Sequence, residues 1–300
     1  MRALDSTAAP DAETALTIQQ ASRLLQVPAS TLRSWERRYD IPTTPRTPGG
    51  HRRYGVQELT ELRLMRDEIA RGKRAGAARA GVRRLVQQPE PARSIVAEFL
   101  AAAQVMEPTR IRTCLDHATD TLGLGAAIDE VMMPAMRQIG WWWETGRCDV
   151  AHEHLATDAT RTWLGKIVAF APHPRHPGSL LLACGPRDWH SLGLEAFGAV
   201  LTQAGWQCRI LGAATPIPAL RTTIQATNPA GVVVAAHLSS GQRAAIETIR
   251  AAADLAVPLF YAGNTFIASP TRQRLPGTYL GDNHQNALRS IEASLTVLLP

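Results

Sequence analysis

A histidine two residues after an aspartate and three before a glycine can act as a metal ligand whose second ring nitrogen is held by the carboxylate. Asp188-Trp189-His190-Ser191-Leu192-Gly193 has that spacing. A neutral imidazole coordinates soft or borderline transition metals, a nearby carboxylate fixes its tautomer, and Gly193 lets a helix backbone approach a bulky ligand. Taken alone, the pattern also fits a surface histidine. A second constellation is Trp143, followed ten residues later by Glu153-His154. It would set an aromatic plate and a polar pair on one surface of a helical bundle. Taken alone, it also fits a core or interface tryptophan, like its neighbours Trp141 and Trp142, and a capping pair.

The elements that must position these residues fall into three segments. From Leu16, apolar residues recur at helical spacing, with Thr17 and Gln20 as a capping box for a helix ending near Leu25. Val27-Pro28 interrupts it, and a second, basic helix spans about Ser30 to Tyr39. Thr47-Pro48-Gly49-Gly50-His51-Arg52-Arg53-Tyr54 then has the glycine pair and flanking cations of a hairpin wing, and helical patterning resumes from Val56 to about Val86. This is a winged helix-turn-helix pattern, assigned to residues 13–88. Residues 90–171 carry four helical stretches, Ser94 to Val105, Pro108 to Leu122, Leu124 to Trp142 and Val150 to Phe170, and read as a four-helix bundle. Three prolines between Ala171 and Gly178 end the last of them.

Residues 178–300 alternate short apolar runs (Leu180 to Cys184, Gln207 to Leu211, Val232 to Ala236, Leu259 to Tyr261, Tyr279-Leu280) with amphipathic helices. That is the pattern of a Rossmann-like parallel sheet covered by helices, which binds ligands at the carboxyl ends of its strands. Asp188 to Gly193 lies at such an end, after the first run and before the first helix. The expected fold class is therefore multidomain, α and α/β.

Composition narrows the function. A chain of 300 residues, 45% hydrophobic and 19% charged, is neither disordered nor collagen-like. No apolar run has the length of a membrane span, and the N-terminus lacks the apolar core of a secretory signal, so the expectation is a cytoplasmic protein without membrane contact. Four cysteines, Cys114, Cys148, Cys184 and Cys208, stand singly, which suits neither a zinc site nor a disulfide framework. Residues 1–89 have a net charge of +7 and the remainder −1, so one segment is suited to a polyanion and the rest to another task. The chain shows neither a nucleophilic triad nor a phosphate-cradling loop, and no enzymatic activity or catalytic residue is expected.

Together, the two constellations resemble the cobalamin-binding module of methionine synthase and corrinoid proteins, as does the closing stretch Gly277-Thr278-Tyr279-Leu280-Gly281-Asp282-Asn283. With the winged helix in front, the domain order resembles the CarH/LitR group of MerR-type regulators, cobalamin-dependent light-sensing repressors, from about Leu16 to the C-terminus. The resemblance implies that His190 is the lower cobalt ligand, with Asp188 behind it and Gly193 beside it. It implies that Trp143, Glu153 and His154 cover the upper face, and that Leu238 and Gly263 lie along the cofactor's displaced nucleotide tail. Two positions depart from the family pattern. Ala236-His237-Leu238 stands where a serine motif is usual, removing a hydroxyl worth roughly 1 to 3 kcal/mol to a buried partner, and Ala262-Gly263 replaces a glycine pair. Glu144 also follows the tryptophan where some relatives have histidine.

The implied cofactor is adenosylcobalamin, with methylcobalamin or another cobalamin as the alternative. The implied partners are double-stranded operator DNA and further copies of the chain, in a dimer or tetramer that light can change. At the DNA end, Ser30 and Arg33 are placed for base edges, Arg38, Tyr39, Arg52 and Tyr54 suit backbone phosphates, and Arg37 and His51 complete the DNA-binding set. Two other readings stay open: a cobalamin-sensing or cofactor-free regulator that ignores light, and a corrinoid protein for methyl transfer.

Overall fold

The structure, a computed structural model, describes residues 16–42, 52–70, 74–86, 90–144, 146–237, 241–266, 272–273 and 275–296. It divides into two compact units, Met1–Pro89 and Glu90–Pro300.

In the first unit, α1 (Ile18–Leu25) starts at the expected capping box. Thr17 Oγ1 accepts from the Gln20 amide, and Gln20 Oε1 accepts from the Thr17 amide. Gln26 in the left-handed region stops it, and α2 (Ala29–Tyr39) begins after Pro28. The patterned stretch from Val56 onward forms two helices rather than one, α3 (Val56–Ala70) and α4 (Ala75–Val86). Ala21, Leu25, Leu32, Trp35, Leu62 and Met65 form the core with Tyr54, which pairs its backbone with Leu16 in both directions at 2.9 Å. Helix α4 secures the end of α2: Arg79 Nε donates to the Tyr39 carbonyl at 2.8 Å, and Arg83 pairs with Asp40 at 2.7 Å. A helix C-terminus favours such cations.

In the second unit, α5 (Glu90–Gln104), α6 (Pro108–Leu122), α7 (Leu124–Ala126), a π turn (Ala127–Met132), α8 (Met133–Glu144) and α9 (Val150–Ala169) make the bundle. Pro108 opens α6, Gly123 at φ +80° separates α6 from α7, and the Asp149 carboxylate caps α9 by accepting the Ala151 amide. Residues 171–178 form neither helix nor strand and lead into the sheet.

Five parallel strands, β1 (Ser179–Cys184), β2 (Gln207–Gly212), β3 (Gly231–Ala235), β4 (Leu259–Ala262) and β5 (Thr278–Tyr279), lie in the order β2-β1-β3-β4-β5. β1 and β3 are buried along their whole length, which is why they read as unbroken apolar runs. Leu180, Leu182, Val233 and Phe260 face α10 (Leu192–Gln203) and α13 (His284–Thr296). Leu181, Val232, Val234 and Tyr261 face α11 (Ile217–Thr227) and α12 (Gln242–Ala253). The strand order reverses between β1 and β3, and a crevice opens at their carboxyl ends.

One helix serves both layers. Leu194, Phe197 and Leu201 of α10 belong to the sheet core, whereas Ala196, Ala199 and Val200 belong to the bundle core. Among the described residues, no helix is long and apolar enough to cross a membrane. The thiols are held in the protonated form: burial pushes Cys184 up to about 12 and Cys208 up to about 11.

Tyr54 carries a testable consequence, because its ring is fully buried and its hydroxyl has no hydrogen-bond partner among the described residues. Replacing it in Y54F removes a desolvated hydroxyl and nothing else. Thermal unfolding should show stability unchanged or raised by up to about 1 kcal/mol; a lower melting temperature would mean that the hydroxyl is paired.

Candidate functional site: the crevice between sheet and bundle

Asp188 is the fixed point of the crevice. It lies beyond β1, is 3% exposed, and accepts three hydrogen bonds, from the His190 amide at 3.0 Å, His190 Nδ1 at 3.1 Å and the His237 amide at 2.5 Å. Its own backbone is tied to Gly185 and Ala214. Burial would raise its carboxyl, but the His190 and His237 side chains and both amides outweigh burial and hold it well below the usual carboxylate range. His237 Nδ1 stands 3.6 Å from Oδ2, beyond hydrogen-bond length.

The carboxylate decides how His190 is presented. With Nδ1 directed at Asp188, the opposite nitrogen, Nε2, faces outward from a side chain 59% exposed. The bond to Asp188 raises the His190 pKa first of all, burial opposes it, and Glu153 and Glu144 add to the rise from the bundle side.

On the bundle side, Trp143 ends α8 half-exposed, and Glu153 and His154 lie in the first turn of α9. Glu153 accepts from Thr157 Oγ1 at 2.8 Å and stands 3.8 Å from His154 Nε2, whose ring is open to solvent. Trp189, next to His190, is 74% exposed. Buried Nδ1 atoms of His152 and His237 lack hydrogen-bond partners.

These residues fit a corrinoid. His190 offers one oriented nitrogen beyond β1, and the bundle carries an aromatic side chain, Trp143, with Glu153 and His154 as polar groups. Among the described residues, no three His, Cys, Asp or Glu side chains gather to hold a bare metal ion.

The remaining sequence expectations fare differently. Gly193 sits in the crevice, where an added Cβ would make ordinary contact with His237 and Met133. Gly263, at φ +107°, is required by packing: a Cβ would lie 2.1 Å from the Ala236 carbonyl oxygen. The Ala236 methyl faces α11 and α12, whereas Ala262 packs on the α10 and α13 face. The two departures therefore lie on opposite faces of the sheet. Leu238 lies outside the described residues.

On α2, Ser30, Arg33 and Arg37 are exposed at positions i, i+3 and i+7, hence on one face, with Arg38 exposed beside them. Tyr39 is half-buried, and its carbonyl is occupied by Arg79. One phosphate contact needs correction. Tyr54 is fully buried in the core and cannot reach DNA, because its strand pairing with Leu16 turns the ring inward. Arg52 directs Nε to Glu36 of α2 at 2.6 Å and braces that helix. His51 lies outside the described residues.

His237, Asp129, His284 and Arg161 were not singled out from sequence. His237 follows β3 on the far side of the strand-order reversal, which was a usable signal. Asp129 and His284 meet across 155 positions, which no local pattern discloses.

Three family models match the chain: MerR family regulatory protein over residues 17–54, and B12 binding domains over 95–167 and 178–290. The chain is 32% identical over 235 residues to the HTH-type transcriptional repressor CarH of Myxococcus xanthus, covering 73% of this chain and 77% of CarH. It is also 32% identical over 213 residues to the repressor CarA of the same organism, covering 69% and 71%. Among solved structures, the Methanosarcina barkeri monomethylamine corrinoid protein matches with a TM-score of 0.53 at 11% identity, covering 67% of this chain and 99% of that one, which establishes a shared fold. The chain thus belongs to the family of MerR-type regulators with B12 binding domains that includes CarH and CarA.

Proposed function

We propose that the chain is a transcriptional repressor whose bound adenosylcobalamin makes its assembly, and through it operator binding, sensitive to light. The observation that carries this reading is the outward Nε2 of His190, held by a buried Asp188 opposite the Trp143, Glu153 and His154 wall. In this reading His190 would hold the cobalt, Asp188 would keep its Nδ1 protonated, and Trp143, Glu153 and His154 would cover the adenosyl group. When bound, the cofactor supplies a cobalt–carbon bond that visible light breaks, with departure of the upper group.

Trp143 and Glu153 then lose a contact that favours one position of the bundle, and the equilibrium between bundle positions shifts by that difference. Several copies on one operator gain from effective concentration, so disassembly weakens repression with every DNA contact unchanged. The segment matching the MerR model and the repressor relatives support regulation over methyl transfer.

Gel filtration and operator binding should be measured on protein loaded with adenosylcobalamin, in darkness and after green light. A fall in mass together with weaker operator binding is the expected outcome; equal mass and equal affinity in both conditions reject the light switch while leaving cobalamin binding to be read from the absorbance spectrum.

H190A should lose lower coordination, with a shifted visible spectrum and cobalamin retention about tenfold or more weaker, in line with loss of a ligand and of its outer partner. An unaltered spectrum would exclude His190 as the ligand. On α2, R33A should cost about 1 to 3 kcal/mol of operator affinity with relaxed sequence preference. R37A should weaken binding to all sequences alike and reduce the salt slope by about one; electrophoretic mobility shifts across salt concentrations separate the two.

A further inference from the structure

The segment from Asp188 to Gly193 is fastened on both sides. Toward the sheet it is fixed by the Asp188 bonds described above. Toward the bundle it is held twice. Arg161 of α9 donates from Nη2 to Ser191 Oγ at 3.1 Å and from Nε to the two Glu195 oxygens at 3.3 and 3.0 Å, while Ser191 Oγ donates to Glu195 Oε1 at 2.6 Å. From the π turn, Asp129 accepts the His284 amide at 3.1 Å on each oxygen and pairs with His284 Nδ1 at 2.5 Å. The Nε2 of that same ring lies 3.1 Å from the Gly193 carbonyl. The points held are thus one and three residues beyond His190.

The two connections differ in strength. The Asp129 and His284 side chains are 10% and 13% exposed, so their hydrogen bonds act in a poorly screened environment. Arg161 is 45% exposed and its ion pair is correspondingly weaker. The apolar contacts of Ala196, Ala199 and Val200 with the bundle core hold α10 against the bundle without fixing its register. Hydrogen bonds have direction, and these two sets fix it.

We infer that Arg161 and the Asp129–His284 pair are positioning residues, which clamp the His190 segment to the bundle so that bundle displacement and the orientation of His190 are one movement. The clamp is a property of the chain itself; its consequence for cobalt rests on the reading of His190 as the lower ligand. A departing upper group would then be felt below the ring as well as above it, through Asp129 and Arg161.

Hydrogen exchange on the full-length, ligand-free protein tests the clamp directly. In D129N, amides 189–194 should exchange about tenfold faster than in wild type, as expected for loss of a buried charged hydrogen bond, with the β3 amides unchanged. R161Q should give a smaller acceleration confined to the same segment. After dark loading with adenosylcobalamin, D129N should keep the corrinoid but shift its visible spectrum toward that of H190A. H284F, which fills the same space beside Phe197 without the hydrogen bonds, replaces D129N if the latter does not fold. Equal exchange over 189–194 in the variants and wild type, acceleration spread evenly over the chain, or a loosened segment with an unaltered spectrum would overturn the inference. Wild-type protein that takes up no cobalamin would refute the proposed function, while the exchange comparison still decides the clamp.

Discussion

A carboxylate buried at the carboxyl end of β1 is the constraint on which the site depends. Leaving Asp188 ionised at 3% exposure is costly unless its oxygens are occupied, and two backbone amides and an imidazole occupy them. Satisfying that charge sets the course of the loop after β1, joins it to the residue after β3, and turns one nitrogen of His190 outward. Everything that the crevice can bind follows from where that nitrogen points.

The topology supplies the opening. With strands in the order β2-β1-β3-β4-β5, the connections after β1 and β3 leave in opposite directions, and Asp188 bridges the resulting gap. The bundle closes over it because α10 belongs to two cores at once, one through Leu194, Phe197 and Leu201 and the other through Ala196, Ala199 and Val200. A helix shared in this way cannot shift relative to one layer without being felt by the other. The Arg161 and Asp129–His284 contacts add direction to that coupling.

Much of this was legible in one dimension because it is local. The capping box at Thr17, the proline at the start of α6, the apolar runs of β1 and β3, and the Asp188-x-His190 spacing each depend on residues a few positions apart. Burial of a single residue was less legible. Tyr54 follows two arginines and read as a DNA contact, yet its pairing with Leu16 turns it into the core. The bond from Arg52 to Glu36, sixteen positions earlier, is likewise invisible to a local pattern. The stretch after Val56 kept helical periodicity across two helices because both present an apolar stripe to the same core.

Sequence alone determined the order of the three segments, most of their secondary structure, the basic character of the first and the Asp188-x-His190 spacing, since periodicity, charge and short-range spacing are written along the chain. Tertiary structure decided which side chains face each other across the crevice, which arginines are occupied, and how the bundle grips the His190 segment. Asp129 and His284, or Arg161 and Ser191, become neighbours only when separate helices pack, and packing depends on shapes and distances that no stretch of sequence contains by itself.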